Sequence, residues 1–88
     1  MNTTLRHIID DGHSWLEIDL TAIPEAERFA EGYGYIDGNL IYLEEDSEMP
    51  RFLDYMESKG YTLTLDEHNI NGEWRGRYMY SRNHKLSA

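Results

Sequence analysis

The sequence of 88 residues predicts an α+β fold in a single domain that spans residues 1–88, with elements in the order ββ-α-ββ-α-ββ. We expect an antiparallel or mixed sheet with two helices on one face. Three observations predict this fold: runs that alternate apolar and polar residues, turn signals between those runs, and one segment with helical apolar spacing. Eleven aromatic residues and 40% hydrophobic residues favour a folded core over disorder.

The first β-hairpin is predicted over residues 3–20. Asp10-Asp11-Gly12 is a turn signal, and the following SWLEIDL alternates strictly. That alternation directs three side chains to the core: Leu16, Ile18 and Leu20. It places Trp15 on the opposite, solvent-facing side of the strand unless a helix or a loop covers it.

A short helix and a second hairpin follow. Thr21 is the predicted N-cap of the helix, Pro24 suits its first turn, and Gly32 ends it. The hairpin is predicted in YGYIDGNLIYL, around the turn signal Asp37-Gly38. Its second strand, residues 40–43, is apolar on both faces, which favours a central position in the sheet.

The second helix begins after the predicted N-cap Ser47 and ends at Gly60. Four apolar residues follow the spacing of one buried helix face: Met49, Phe52, Leu53 and Met56. Glu48 lies in the first turn, where the helix dipole stabilises a negative charge.

The last third predicts a third hairpin. YTLTLDE alternates, Asn71-Gly72 is a turn signal, and EWRGRYMYS returns with its aromatic residues on one face of the strand. The aromatic and arginine residues of that second run could stack nucleic-acid bases, but the sheet needs the same aromatic face for its core. Residues 82–88 are predicted to form a frayed tail.

The net charge of −9 indicates the kind of partner. Sixteen of the seventeen acidic residues lie in residues 10–67, together with only three Lys or Arg residues. Such a field repels nucleic acids and anionic membranes and favours basic protein surfaces, although acidity also keeps small domains soluble. We therefore expect no direct nucleic-acid binding and no membrane binding.

The remaining composition excludes several kinds of chemistry. The chain has no cysteine, which rules out disulfides and thiolate metal sites. It has no apolar run long enough to span a membrane and no leader-like start, so a cytoplasmic protein is expected. The four histidines match no metal-ligand spacing, and no catalytic motif is present. We expect no enzyme activity, no cofactor and no metal.

Carboxylates around LEEDSE are the predicted contact with a basic partner. If the two helices lie side by side, acids from both could form one negative face that imitates the charge of DNA, provided that they are spaced like phosphates. The residues predicted to bind the partner are Glu44, Glu45, Asp46, Glu48, Asp54, Glu57 and Trp15.

Two segments, GHSWLEIDL at 12–20 and YLEEDSEMPRFLDYMESKG at 42–60, resemble a pattern in small uncharacterised proteins carried on bacterial plasmids and phages. In that pattern a G-H-x-W-L-E-V strand precedes Y-L-E-E-D and an amphipathic helix. Ser14 stands where glycine is commoner, and no cysteine follows Asp46. The resemblance implies a setting on a bacterial mobile element and assigns no activity to any residue.

The sequence as a whole predicts a non-enzymatic, acidic interaction protein, either monomeric or homodimeric. The leading hypothesis is an inhibitor of a host defence or nucleic-acid enzyme that acts through a DNA-like negative face. The alternative is a regulatory or antitoxin-like protein that binds a basic partner without imitating DNA. A small hydrolase or metal-binding protein is the third hypothesis.

Overall fold

The computed structural model describes residues 2–84, which form a mixed sheet of six strands with three helices. The strands are β1 Asn2–Ile9, β2 Ser14–Asp19, β3 Tyr35–Asp37, β4 Leu40–Glu44, β5 Thr62–Asn69 and β6 Ser81–Arg82. The helices are a 3-10 helix Pro24–Phe29, α1 Glu48–Ser58 and the short α2 Gly76–Met79. The predicted α+β class and the mixed sheet are confirmed, whereas the order of elements differs in the last third.

The strands lie in the order β5-β1-β2-β4-β3-β6. The first two predicted hairpins are present, with β1 antiparallel to β2 and β3 antiparallel to β4. β2 also pairs with β4, which makes these two strands central. β5 pairs with β1 in parallel over eight residues, because α1 carries the chain back across the sheet before β5 begins.

One face of the sheet packs against the 3-10 helix and α1, and we call this layer the helix-side core. The predicted inward residues Leu16 and Ile18 are fully buried there, as is Phe52 of α1, while Leu20 is half-buried. The rings of Phe29 and Phe52 meet edge to face at 5.8 Å. The predicted apolar face of α1 is therefore confirmed.

The other face carries a second layer, which we call the aromatic core. Its buried members are Ile8, Trp15, Tyr35, Tyr42 and Trp74. Trp74 is centred on the layer, with its ring centroid 4.7 Å from those of both Trp15 and Tyr42. The sheet is thus covered on both faces, which explains why β4 is apolar on both sides.

The predicted third hairpin is wrong. β5 is an edge strand beside β1, and the segment after it forms a turn and α2 instead of a returning strand. Gly72 has a φ of +82°, its carbonyl accepts a hydrogen bond from the Asp11 N–H, and the Trp74 N–H donates to Asp10. These contacts direct the chain over the sheet, where Trp74 is buried in the aromatic core.

The predicted tail and helix caps also need correction. Residues Ser81–Arg82 pair with β3, and Asn83 is only 3% exposed, so these residues are part of the fold. Residues 85–88 of the predicted tail lie outside the described residues. Thr21 donates to Asp19 instead of capping the 3-10 helix, which begins at Pro24. Ser47 precedes α1 without a capping hydrogen bond from its side chain.

Within residues 2–84, no helix is long and apolar enough to cross a membrane.

Gly34 permits a close approach of chain segments, which predicts a strong effect of substitution. A Cβ at this position would lie 1.9 Å from the Tyr42 carbonyl oxygen and 2.8 Å from Glu48 Oε1. We expect Gly34→Ala to lower the free energy of unfolding by about 1–3 kcal/mol through overpacking, measured by urea denaturation. Gly12→Ala is the matched control, because a Cβ there meets no atom within 4 Å. Equal stability of the two variants would contradict this packing.

Candidate functional site

A surface cleft of about 390 Å³ lies where β2, β3 and β4 meet the loops around them. Its walls combine aromatic rings with charges of both signs. The lining residues are His13, Trp15, Glu31, Tyr33, Tyr35, Glu44, Asp46, Ser47, Arg77 and Arg82. The cleft contains two of the six predicted contact acids, Glu44 and Asp46, together with Trp15, and we call it the Glu44 cleft.

Glu48 accepts hydrogen bonds from residues that line the Glu44 cleft and so holds them in place. Its side chain is fully buried, which removes it from the predicted contact surface. Oε2 accepts hydrogen bonds from the N–H groups of Glu31 at 2.7 Å and Tyr33 at 3.0 Å. Oε1 accepts from the Glu44 N–H and from Asn83 Nδ2, both at 3.0 Å. One carboxylate therefore binds three other segments of the chain, and each of them carries lining residues of the cleft.

Asp10 plays a corresponding role at the turn between β1 and β2. Its carboxylate accepts hydrogen bonds from the N–H groups of Gly12, His13 and Trp74. Burial opposes ionisation of this carboxyl, but these donors and the Arg77 guanidinium together hold the pKa of Asp10 below its ordinary value. Asp10 thus fastens the segment that carries Trp74 to the end of the sheet nearest the cleft.

The cationic side of the Glu44 cleft consists of two arginines that already have partners. Arg77 lies 3.1 Å from Glu73 and 3.7 Å from Asp10. Arg82 packs over the Tyr35 ring at 4.7 Å and donates a hydrogen bond to the Tyr33 carbonyl. Both guanidinium groups therefore already bind other residues of this chain.

Glu45 is also engaged, beside the cleft. Its Oε2 accepts a hydrogen bond from Ser14 Oγ at 3.0 Å, and its Oε1 lies 3.5 Å from His13 Nδ1. One ligand-type atom from each of His13, Glu44 and Glu45 falls within 4.8 Å of the others, a spacing that a single cation could bridge. We assign no metal to this group, because Glu45 already has neighbouring donors.

Glu44 and Asp46 differ from the other lining charges. Neither forms a salt bridge with any cation among residues 2–84, although Glu44 Oε1 accepts a hydrogen bond from the Asp46 N–H at 2.9 Å. Partial burial and the nearby Asp46 charge raise the pKa of Glu44 above its ordinary value. The acidic wall of the cleft thus carries negative charge that no described cation neutralises.

Trp15 faces the side of the sheet that the alternation predicts, but that side is covered. The ring is 3% exposed because another segment covers it, which is the exception that the prediction allows, and Trp15 still lines the cleft. Its Nε1 is buried without a hydrogen-bond partner in the described part of the chain. The segment that covers Trp15 is residues 70–80, which the sequence predicts as a turn and a returning strand.

The predicted acidic face is divided by cations. Glu31 forms an ion pair with Arg51, whose guanidinium lies over the Phe29 ring, and Lys59 lies over the Tyr55 ring. Asp54 and Glu57 are exposed on α1, as predicted, but neither of them lines the Glu44 cleft. The structure therefore brings Glu44, Glu45 and Asp46 together and leaves Asp54 and Glu57 on a separate surface.

The predicted contact set lacks seven residues of the cleft: His13, Glu31, Tyr33, Tyr35, Ser47, Arg77 and Arg82. Tyr35 lies on β3, which pairs with β6 through residues 45 and 47 positions apart. Arg77 reaches it because α2 replaces the predicted strand. No local pattern indicates either placement, since both depend on long-range contacts.

No family model matches the chain, and no curated protein and no solved structure is found to be similar to it. The resemblance to plasmid and phage proteins stays a prediction.

Proposed function

We propose that this protein is a non-enzymatic binding module for a basic protein partner, and that a lysine or arginine side chain of the partner enters the Glu44 cleft. The observation that carries the proposal is the pair of carboxylates, Glu44 and Asp46, that line the cleft without a cation. Glu31, Arg77 and Arg82 line the same cleft but already have partners in this chain.

The aromatic rings of the cleft fit the same ligand. Tyr33 is 55% exposed, and aromatic residues are enriched where proteins bind one another. Tyr and Trp rings attract cations through their faces, and a carboxylate forms strong hydrogen bonds with an ammonium or guanidinium group. A bound cation would also favour the ionised form of Glu44, which the free protein disfavours.

The partner class follows the sequence-based hypotheses. A host defence or nucleic-acid enzyme is one candidate, since such enzymes carry basic surfaces, and a basic toxin-like or regulatory partner is the other. The divided acidic surface favours recognition through one cleft over imitation of a continuous row of phosphates. In either case the excess of acidic residues would speed the encounter with a basic surface.

The experiment compares two double variants with the wild-type protein as bait in bacterial lysate. Glu44→Gln with Asp46→Asn removes the unpaired charges of the cleft, whereas Glu25→Gln with Glu27→Gln removes two charges from the 3-10 helix. Both doubles change the net charge equally. We call the Glu44→Gln, Asp46→Asn variant the cleft double and the Glu25→Gln, Glu27→Gln variant the control double. We expect the amount of basic protein captured by the cleft double, measured by quantitative mass spectrometry, to fall by about tenfold or more, because charge-assisted contacts are lost. We expect the control double to retain it.

Three outcomes are informative. Unchanged capture by the cleft double would refute the proposal, and equal losses in both doubles would indicate a general acidic surface instead of a cleft. Competition by excess duplex DNA would indicate a partner held through its nucleic-acid site, whereas resistance to DNA favours the regulatory alternative.

The cleft double is not expected to unfold the protein. Because the folded state holds a proton on Glu44 more tightly than the unfolded chain does, the contribution of Glu44 to stability falls as pH rises above its ordinary pKa. A neutral glutamine avoids that loss and retains the oxygen that accepts from the Asp46 N–H. Urea denaturation of both doubles provides the check.

A further inference from the structure

The outer edge of β5 is the longest unpaired backbone in the described sheet. β5 is the terminal strand on one side and runs for eight residues, whereas the opposite edge, β6, has only two. Proteins protect exposed edges with short strands, with proline or with charged side chains, of which lysine is the commonest. The sequence of β5, TLTLDEHN, contains neither lysine nor proline. β6 is so short that it offers little edge to another strand, whereas the eight residues of β5 leave a long edge unpaired.

The ladder with β1 identifies the backbone groups that point outward. The Ile70 N–H donates to the Ile9 carbonyl at 2.8 Å, just beyond the end of β5. Since successive residues of a strand direct their N–H and C=O groups to alternate sides, the even-numbered residues of β5 face β1. The outward-pointing groups belong to Leu63, Leu65, Glu67 and Asn69. They present a complete edge to an added strand.

An open groove of about 420 Å³ lies next to this edge on the helix-side face. Its apolar lining consists of Leu53 from α1 with Tyr61, Leu63 and Leu65, all half-buried. The side chains of an added strand would alternate between the two faces of the sheet, so every second one would lie over the groove. Those positions favour apolar residues.

The charges beside the edge are predominantly acidic. Glu57 lines the groove, and Asp66 and Glu67 are exposed on β5 itself. Two histidines lie close to these acids, with His68 3.0 Å from Asp66 and His7 3.9 Å from Glu67. A basic strand complements this edge. A second copy does not, because each copy has a net charge of −9 and would bring the same acids to the contact.

We propose that the outer edge of β5 receives an extended segment of a partner protein, with alternating apolar and basic residues, as an added strand of the sheet. This mode supplies affinity through backbone hydrogen bonds and selectivity through alternate side chains. The surface is separate from the Glu44 cleft, and the inference does not depend on the proposed function.

The test uses an end-capped peptide of eight residues in which valine alternates with lysine. We expect the peptide to slow amide hydrogen exchange at Leu63, Leu65 and Glu67 of the wild-type protein, as measured by NMR. A peptide that alternates valine with glutamate is expected to have no effect. Faster or unchanged exchange at these amides with the lysine peptide would overturn the proposal.

Two variants at one position test the edge directly. Glu67→Pro removes an outward N–H at an exposed position and should weaken peptide binding at least tenfold, whereas Glu67→Ala keeps the N–H and should bind more tightly than the proline variant. Equal binding by both variants would overturn the proposal, and so would protection of the edge without peptide that rises with protein concentration, which indicates a second copy. The Glu44→Gln, Asp46→Asn double should bind the peptide normally, so the two proposals fail independently.

Discussion

Glu48→Gln should lower the free energy of unfolding by about 3 kcal/mol or more. Glu48 is fully buried, and its two oxygens accept four hydrogen bonds, so a carboxylate satisfies every donor around it. An amide has one oxygen and one NH₂ group. Whichever way the amide is oriented, its NH₂ faces two donors, and each unsatisfied buried donor costs about 1–3 kcal/mol.

Glu57→Gln is the matched control for this prediction. It makes the same chemical change on the same helix at an exposed position, where a substitution usually changes stability by less than about 0.5 kcal/mol. Urea denaturation followed by circular dichroism measures both variants. Equal midpoints for Glu48→Gln and Glu57→Gln would show that the buried carboxylate does not hold the fold together.

The same substitution should loosen the Glu44 cleft before the protein unfolds. Three of the four donors to Glu48 belong to residues that themselves line the cleft: Glu31, Tyr33 and Glu44. We therefore expect their amide protons to exchange faster in Glu48→Gln, while the amides of β1 and β2 lose protection only with global stability. Glu48 is a positioning residue for the cleft and not a contact residue.

Glu48 shows that a local sequence pattern predicts the position of a residue in a helix but not its burial. The apolar periodicity predicts α1 and so puts Glu48 in its first turn, where the helix dipole stabilises a negative charge. The structure has Glu48 at that position. Burial of that residue depends on the N–H groups of Glu31 and Tyr33 and on Asn83, which lie 15 to 35 positions away in the chain. A single sequence gives no indication that these donors converge.

The hairpins show where prediction from sequence succeeds. In both β1–β2 and β3–β4 the strands are joined by a short turn, so alternation and the turn residues determine the pairing. β5 has no such neighbour, since its partner β1 is about 60 residues away in the chain. For the same reason the sequence indicates that Glu44 and Asp46 lie together at the end of β4, whereas it does not indicate that Arg77 and Arg82 line the same cleft.

Trp74→Ala should be the most damaging substitution in the aromatic core, with an expected loss of about 3–5 kcal/mol in the free energy of unfolding. Trp74 is 8% exposed, and its ring contacts those of Trp15, Tyr35, Tyr42 and Tyr80 at centroid distances from 4.7 to 5.8 Å. Alanine would leave a cavity between two layers that cannot close around it, because the Trp74 N–H is also fixed to Asp10.

Met79→Ala provides the comparison, since Met79 is 65% exposed in the same C-terminal segment and should lose less than about 0.5 kcal/mol. Trp74→Phe should lie between the two variants, because it keeps an aromatic ring but leaves part of the volume empty. Denaturation curves give the three stabilities. The near-ultraviolet circular dichroism of the remaining Trp15 reports whether its packing survives.

These results would distinguish a second core from a surface layer. If residues 70–80 only rest on the sheet, Trp74→Ala and Met79→Ala will unfold at similar denaturant concentrations and Trp15 will keep its signal. If they form a core, the alanine variant will expose Trp15 and Tyr35, which line the Glu44 cleft. Binding of a basic partner should then weaken together with stability, although Trp74 itself does not line the cleft.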